Sequence, residues 1–564
     1  MRAFLLHSNE PTLELLLPSL TISHGSSLPK DGGDDLYIIH WGAFHPDRGR
    51  SEVLQPVKSI VLALNPRRAA QTLRLHGIDS VLGAGQEEAS GDVRSGRAAA
   101  QAALAAHAGR AAERRSAASA ASPAASVASA ASAAPAASAA SAASVASAAA
   151  SVAAVRAGRG ASAALLADER GDATGGTGHR WTREFVVPVF HLQALTLYER
   201  RQPTLYMAGS AYSSAAGGAG ELAELGTEQP TYHGARAMRE AVKAVYALGL
   251  DYAVVRIGVR SDGALAVLGL DPVPRLDPRL AELFAEAIRR FDVDIVRKRS
   301  EPVKHTAMLG ADPEFVLRNA RGKIAFASNY ADKDGPFGCD AIVLRSFRKI
   351  YPLAELRPRP STEVRQLVVN LHRTMQLAAR RIADDSLEWL AGGMPVRGFP
   401  LGGHIHFSGV PLTSELLRAL DNYVALPLVL IEDGTTGNRK PKYGFLGDFR
   451  RQRHGGFEYR VLPSWMVSPV VARGVLALAK LVSEHYRLLR RRPLDEPEVA
   501  RAYYSGDKAR IRPLLLKLWR DLERLDDYGR HEKYLIPLRR RLMLMQPWNE
   551  QQDIRPRWKV PPFS

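Results

Sequence analysis

Residues 398–409 read GFPLGGHIHFSG. His404 and His406 alternate around Ile405, so in a β-strand both imidazoles leave one face while Ile405 and Phe407 leave the other. Gly402 and Gly403 allow close approach of backbone or ligand just before them. Two histidines on one strand face, ringed by Gly, Ile and Phe, point to a metal or nucleotide site. The plainer reading is a structural histidine bonded within the sheet.

Other stretches repeat the theme. In MLGADPEFVL (308–317), Asp312 and Glu314 share a strand face. Two carboxylates so placed repel unless a cation or a proton lies between them. Pro313 suits an edge or a bulge better than a central strand. GPFGCDAIVLRSF (335–347) reads as a loop holding Gly338 and Asp340, the latter a candidate substrate contact. In YPLAELRPRPS (351–361), Glu355 and Arg357 again share a face. They form a simple ion pair or, in a cleft, a metal ligand beside a phosphate clamp.

The last stretch is NRKPKYGFLGDFRRQRHGGFEYRVLPSW (438–465). Glu458 and Arg460 alternate beside Tyr459, with Trp465 a second candidate substrate contact. Arg439, Lys440, Lys442, Arg450, Arg451 and Arg453 precede them in a Gly-punctuated loop. A basic loop beside a carboxylate strand suits a triphosphate with Mg²⁺, although a charge run alone is more often a solvated face. Together the stretches describe apolar strands that expose Glu, His and Arg to a common face.

Outward from this core, residues 491–564 carry apolar residues at helical spacing and many cations, and read as outer helical packing. On the N-terminal side, LYIIHWG (36–42) and SIVLALN (59–65) read as buried strands, and a helix opens at Pro66. Residues 183–200 read as strand, turn, strand, and 232–249 as a helix. A hairpin follows around Ser261, Asp262 and Gly263, and then an amphipathic helix over 278–291. Residues 89–175 are largely Ala and Ser, with no large apolar side chain in the stretch 116–155, and read as a disordered tether.

The chain has 564 residues, too many for one ordinary domain, with 46% hydrophobic residues to build cores. A single cysteine, Cys339, rules out a disulfide scaffold and a Cys-rich metal site. No apolar run reaches membrane-span length, and Glu10 and Glu14 come too early for a signal-peptide core. A cytoplasmic protein is expected, with no membrane partner. The formal net charge of +18 favours acidic partners, but the arginines are scattered, so a solvated basic surface is preferred to a nucleic-acid site.

The motifs GADPEF, ELRP, GGHIHFSG, YG-x-x-GDFR and FEYRVLPSW resemble those of the phage-type carboxylate–amine ligases, amidoligase type 2. These belong to the glutamine synthetase and glutamate–cysteine ligase superfamily. The resemblance covers roughly 306–490. It implies an α+β domain, a curved antiparallel sheet with helices outside and substrates on the concave face. It also implies ATP with Mg²⁺, or Mn²⁺ in its place, and an amine and a carboxylate, small molecule or peptide, as substrates. Asp312, Glu314, Glu355, His404, His406 and Glu458 would form the metal set. Arg357, Arg450 and Arg460 would stabilise the transferring phosphoryl group, and Arg439, Lys440, Lys442 and Arg450 would bind ATP.

The order of elements in 59–290 resembles an ATP-grasp domain, an α/β fold. Arg256 stands where that family places an Asp, Gly269 where it places a Glu, and Asp271 where it places an Asn. No lysine lies between Lys58 and Lys243. This half therefore reads as degenerate. The expected layout is 1–88 and 176–295 as two parts of this domain around the 89–175 insert, 300–490 as the catalytic domain, and 491–564 as a helical extension. The competing functions are an inactive scaffold and a nucleic-acid-binding protein. A metal hydrolase opening on H-x-H is disfavoured, because too little chain with repeated β-α units follows His406.

Overall fold

The computed structural model describes residues 1–29, 36–42, 53–83, 181–200, 222–300, 306–343 and 348–563. The Ala/Ser-rich insert lies outside them.

The N-terminal half holds two sheets. Strands β1 (Arg2–His7), β2 (Ser23–Gly25), β3 (Leu36–Trp41) and β4 (Val53–Leu54) form a parallel sheet in the order β2-β1-β3-β4. Strands β5 (Arg183–Phe190), β6 (Gln193–Ala194), β7 (Tyr198–Arg200), β8 (Leu222–Glu224), β9 (Tyr252–Val259) and β10 (Leu265–Asp271) form an antiparallel one. The helices Tyr232–Ala247 and Pro278–Phe291 lie where their amphipathic periods place them.

One segment corrects the sequence reading. Residues 59–65 are not a strand, because a helix spans Val57–Ala63. Only Ser59, Ile60 and Ala63 of it are buried, which is a helical stripe rather than a two-faced strand. A short apolar run carries no period of its own, and packing chose here. Asn65 instead caps the next helix, Pro66–Leu75, accepting from the Arg68 N–H at 3.1 Å.

The C-terminal half is built on a curled antiparallel sheet. Its strands are β11 (Met308–Arg318), β12 (Ile324–Ala325), β13 (Phe337–Val343), β14 (Lys349–Leu356), β15 (Glu388–Leu390), β16 (Gly403–Ser408), β17 (Phe449–Arg451) and β18 (Phe457–Tyr459). The main order is β13-β14-β11-β16-β18-β17, with β12 and β15 pairing to β11. Asp340 lies inside β13, not in a loop. Pro313 lies in a central strand, not at an edge. It is tolerated because pairing to β14 begins only at Glu314, so no ladder bond is asked of the missing N–H.

The alternation of residues decides which face is core. Ala311, Phe315, Cys339, Ala354, Leu356, Ile405, Phe407, Phe457 and Tyr459 join one apolar core with the helices Val364–Ile382 and Pro469–His485. The same core takes in Leu515, Trp519, Leu535 and Leu538 of the tail helices Lys508–Glu523 and Tyr528–Met543. The intervening residues of each strand therefore face the other side, where the polar side chains meet.

Candidate active site

Strand register brings the polar residues into one row. Glu314 pairs with Glu355 across β11 and β14, and Asp312 with His404 across β11 and β16. His406 pairs with Glu458 across β16 and β18, and Glu458 with Arg450 across β18 and β17. Cross-strand partners on one face lie ~4.5–5.5 Å apart at Cβ, so the row is continuous.

Glu314, Glu355 and His404 form the tightest group. One ligand atom of each lies within 4.8 Å of the others. All three are nearly buried, at 4%, 6% and 6% exposure. Glu314 Oε2 accepts the Gly402 N–H at 2.7 Å. Burial first, and then the negative charges of Glu355 and Asp340, hold the Glu314 carboxyl far above the usual range. Burial and then Asp312 push Glu355 up to about 8, against the pull of the Arg357 guanidinium bonded to it. A site that penalises its own carboxylates in this way is poised to take a cation.

His404 is oriented by Glu458, with Nδ1 3.0 Å from Glu458 Oε1. Burial lowers the His404 pKa, so the ring is neutral near pH 7. With Nδ1–H donating to Glu458, Nε2 keeps its lone pair. That atom lies over Gly402, where any Cβ would collide with it. The sequence reading expected backbone or ligand close to the glycines, whereas the near neighbour at Gly402 is the His404 side chain. At Gly403 a Cβ would meet the Pro463 backbone carbonyl first, the backbone approach the sequence reading expected, and would lie 2.6 Å from Trp465 Cδ1.

Glu458 is itself only 2% exposed. Arg460 bonds one carboxylate oxygen, Arg450 lies 3.2 Å from the other, and Gln452 Nε2 donates to that second oxygen at 3.2 Å. Burial opposes ionisation, but His404 and then the two arginines outweigh it and hold the carboxyl at about 2. Glu458 is thus a permanent anion with both oxygens engaged, outside the tight group. Asp312 and His406 form their own pair at 2.7 Å, half-buried. Burial acts against protonation of His406, but the bond to Asp312 wins and raises its pKa.

The other sequence candidates fall in different places. Arg357 and Asp340 flank the Glu314–Glu355 end of the row. Arg439 is buried and donates to the Val461 carbonyl at 2.9 Å. Lys440 is buried on Glu432 at 2.9 Å. Lys442 is exposed and reaches over the Tyr443 ring. Trp465 is fully buried and donates to the Gly403 carbonyl at 2.8 Å, bracing β16 from the core side. Sequence reasoning missed the Gly402 N–H on Glu314, Gln452 on Glu458, and Ser464, whose hydroxyl donates to the Glu314 carbonyl at 2.5 Å. Only the glycine pair carried a signal that could have found one of them.

In the N-terminal half, Arg256 lies 3.7 Å from Glu184. Among the described residues, the only group of three or more metal-capable side chains is Glu314–Glu355–His404.

Comparison with known proteins bears on this site. Residues 309–560 match the family described as Phage phiEco32-like COOH.NH2 ligase-type 2. The match takes in every strand of the row and runs on through the tail helices. No curated protein matches the chain in sequence. Among solved structures, the chain is similar to a bifunctional glutathione synthetase from Pasteurella multocida. The identity is 9%, the coverage 43% of this chain and 48% of that one, and the TM-score 0.29. The chain thus spans about half the length of that relative. It is also similar to a glutamate–cysteine ligase from Francisella tularensis in complex with AMP, at 10% identity, 44% and 84% coverage and a TM-score of 0.31. A third likeness is to the complex of the ubiquitin-like protein Pup with its ligase PafA, at 12% identity, 43% and 64% coverage and a TM-score of 0.28. Among the described residues, no helix is long and apolar enough to cross a membrane.

Proposed function

We propose that the C-terminal half is an ATP- and Mg²⁺-dependent carboxylate–amine ligase acting through an acyl phosphate. The observation that carries this reading is the buried Glu314–Glu355–His404 group with three arginines along the same row.

The residues present fit a divalent cation. Two carboxylates supply the hard oxygens Mg²⁺ prefers, and the neutral imidazole admits Mn²⁺ as well. Glu314, Glu355 and His404 Nε2 would hold it. A bound cation would supply charge neutralisation for the phosphates and for the transferring phosphoryl group.

The chain's own residues have distinct tasks. Arg450 and Arg460 lie beside Glu458 at one end of the row, and Arg357 lies beside Glu355 at the other. From those positions they would stabilise negative charge on the phosphoryl group in flight. Glu458 holds His404 in one tautomer and fixes both arginines. In the first step an oxygen of the substrate carboxylate attacks the γ-phosphorus, and the bond to the β-phosphate oxygen breaks, releasing ADP. In the second, the amine nitrogen attacks the acyl carbon, inorganic phosphate leaves, and nitrogen loses a proton to give the amide. No covalent enzyme intermediate is needed, and buried Cys339 faces the core, away from the row.

The test uses a carboxylate substrate labelled with ¹⁸O, found by screening amine–carboxylate pairs for phosphate release. Transfer of one ¹⁸O to the released phosphate is the expected result. Amide formation with unlabelled phosphate would rule out the acyl phosphate.

A further inference from the structure

Between the two halves of the chain lies a cleft of about 510 Å³, lined by none of the residues of the polar row. That size falls within the ~300–1,000 Å³ of small-molecule sites, which favour junctions between domains. We propose that this cleft is a second binding site, for a small amphipathic anion with an apolar body and one negatively charged end. The proposal does not depend on the ligase reading.

The walls define the ligand. Leu62 and Leu75 of the N-terminal helices face Leu446 and Leu494 of the C-terminal half, giving an apolar body its contact surface. The charges around them mostly cancel. Lys58 is paired with Asp495, and Arg501 with Glu498 at 3.3 Å. Arg418 is spent on the carbonyls of Gly249 and Leu250, at 3.1 and 3.0 Å. Exposed Arg68 has no ion-pair partner among the described residues and is the unspent cation of the lining. One anionic group is what the lining lacks.

The floor explains why the cleft persists and what an occupant would touch. Buried Asp421 accepts from Tyr246 Oη at 2.8 Å and from Tyr459 Oη at 2.6 Å. It also accepts the Gly447 N–H. It therefore ties the end of an N-terminal helix to the strand of Glu458 and to the loop leading into Arg450. Burial pushes its carboxyl up to about 7 despite these bonds, so it does not repel an anion as a full charge would.

The full chain is titrated with 8-anilinonaphthalene-1-sulfonate, whose aromatic body and sulfonate match this class, followed by fluorescence and calorimetry. N-phenyl-1-naphthylamine, the same body without the sulfonate, is the comparison. Saturable one-to-one binding of the sulfonate is expected, weakened about tenfold by Ala247→Trp, which fills the cleft, and about tenfold by Arg68→Glu. The uncharged probe should bind about tenfold more weakly than the sulfonate. Ala247 is partly exposed and Arg68 exposed, so thermal melts should match the parent. If Ala247→Trp fails to fold, Arg68→Glu carries the test alone. Absence of saturable binding, or binding unchanged in the folded variants, overturns the site. Equal affinity for the two probes overturns its anionic character.

Discussion

Binding of a divalent cation to this protein should release protons near pH 7. The perturbation is Mn²⁺ added to the cation-free chain. Glu355, pushed up to about 8, is roughly 90% protonated at pH 7. Glu314, whose carboxyl burial holds well above the usual carboxylate range, adds to that release. His404 adds none, because burial already keeps it neutral. Both carboxyls must ionise to serve as ligands, so their protons leave as the cation enters. Affinity should then rise at least about tenfold per pH unit between 6 and 7, where Glu355 is protonated, and more slowly above pH 8. Calorimetric titration of Mn²⁺ in Pipes and in Tris, which differ in ionisation enthalpy, reads the number of protons from the slope. Glu355→Gln should lower the count by about one. A slope near zero for the parent would refute the reasoning, because it would mean that both carboxyls are already ionised.

The remaining predictions test the frame around this group. Glu355's raised pKa means that the stability contributed by its neutral form is complete below its unfolded value of 4.5 and is lost as pH rises through about 8. Thermal melts of the cation-free chain should fall across that window, and Mn²⁺ should restore them. Glu458 has the opposite sign: its contribution is complete above pH 4.5 and is lost as pH falls towards 2, so Glu458→Gln should flatten the acid limb of the melting profile. Gly403→Ala forces a Cβ against Trp465 and the Pro463 carbonyl and should cost about 1–3 kcal/mol in denaturant unfolding. Arg450→Ala should cut phosphate release in the ligase assay at least ~100-fold, while leaving the melting temperature almost unchanged because that side chain is 60% exposed.

Much of the fold and the candidate site could be read from local pattern. Alternation around Ile405, between Asp312 and Glu314, and between Glu458 and Arg460 identified which side chains share a strand face, because the period of two belongs to the strand itself. The helices over 232–247 and 278–291 were visible for the same reason at period 3.6. Residues 59–65 and 337–343 misled because a short run of mixed residues fits more than one backbone, and neighbours elsewhere in the chain choose between them.

By itself, the sequence determined the inventory: which strands carry acids, imidazoles and guanidiniums, and which of their faces must be buried. The tertiary structure alone decided the grouping. Residues 314, 355 and 404 meet only because β14, β11 and β16 lie side by side in this register. A slip of one residue would turn Glu314 into the core and bring Phe315 out. Tertiary packing likewise buried Arg439, Lys440 and Trp465, which the sequence could as readily have left facing a ligand. It also set Glu458 as the partner of His404. The physical reason is range. Alternation is written in adjacent residues, whereas register and burial depend on contacts between segments far apart in the chain.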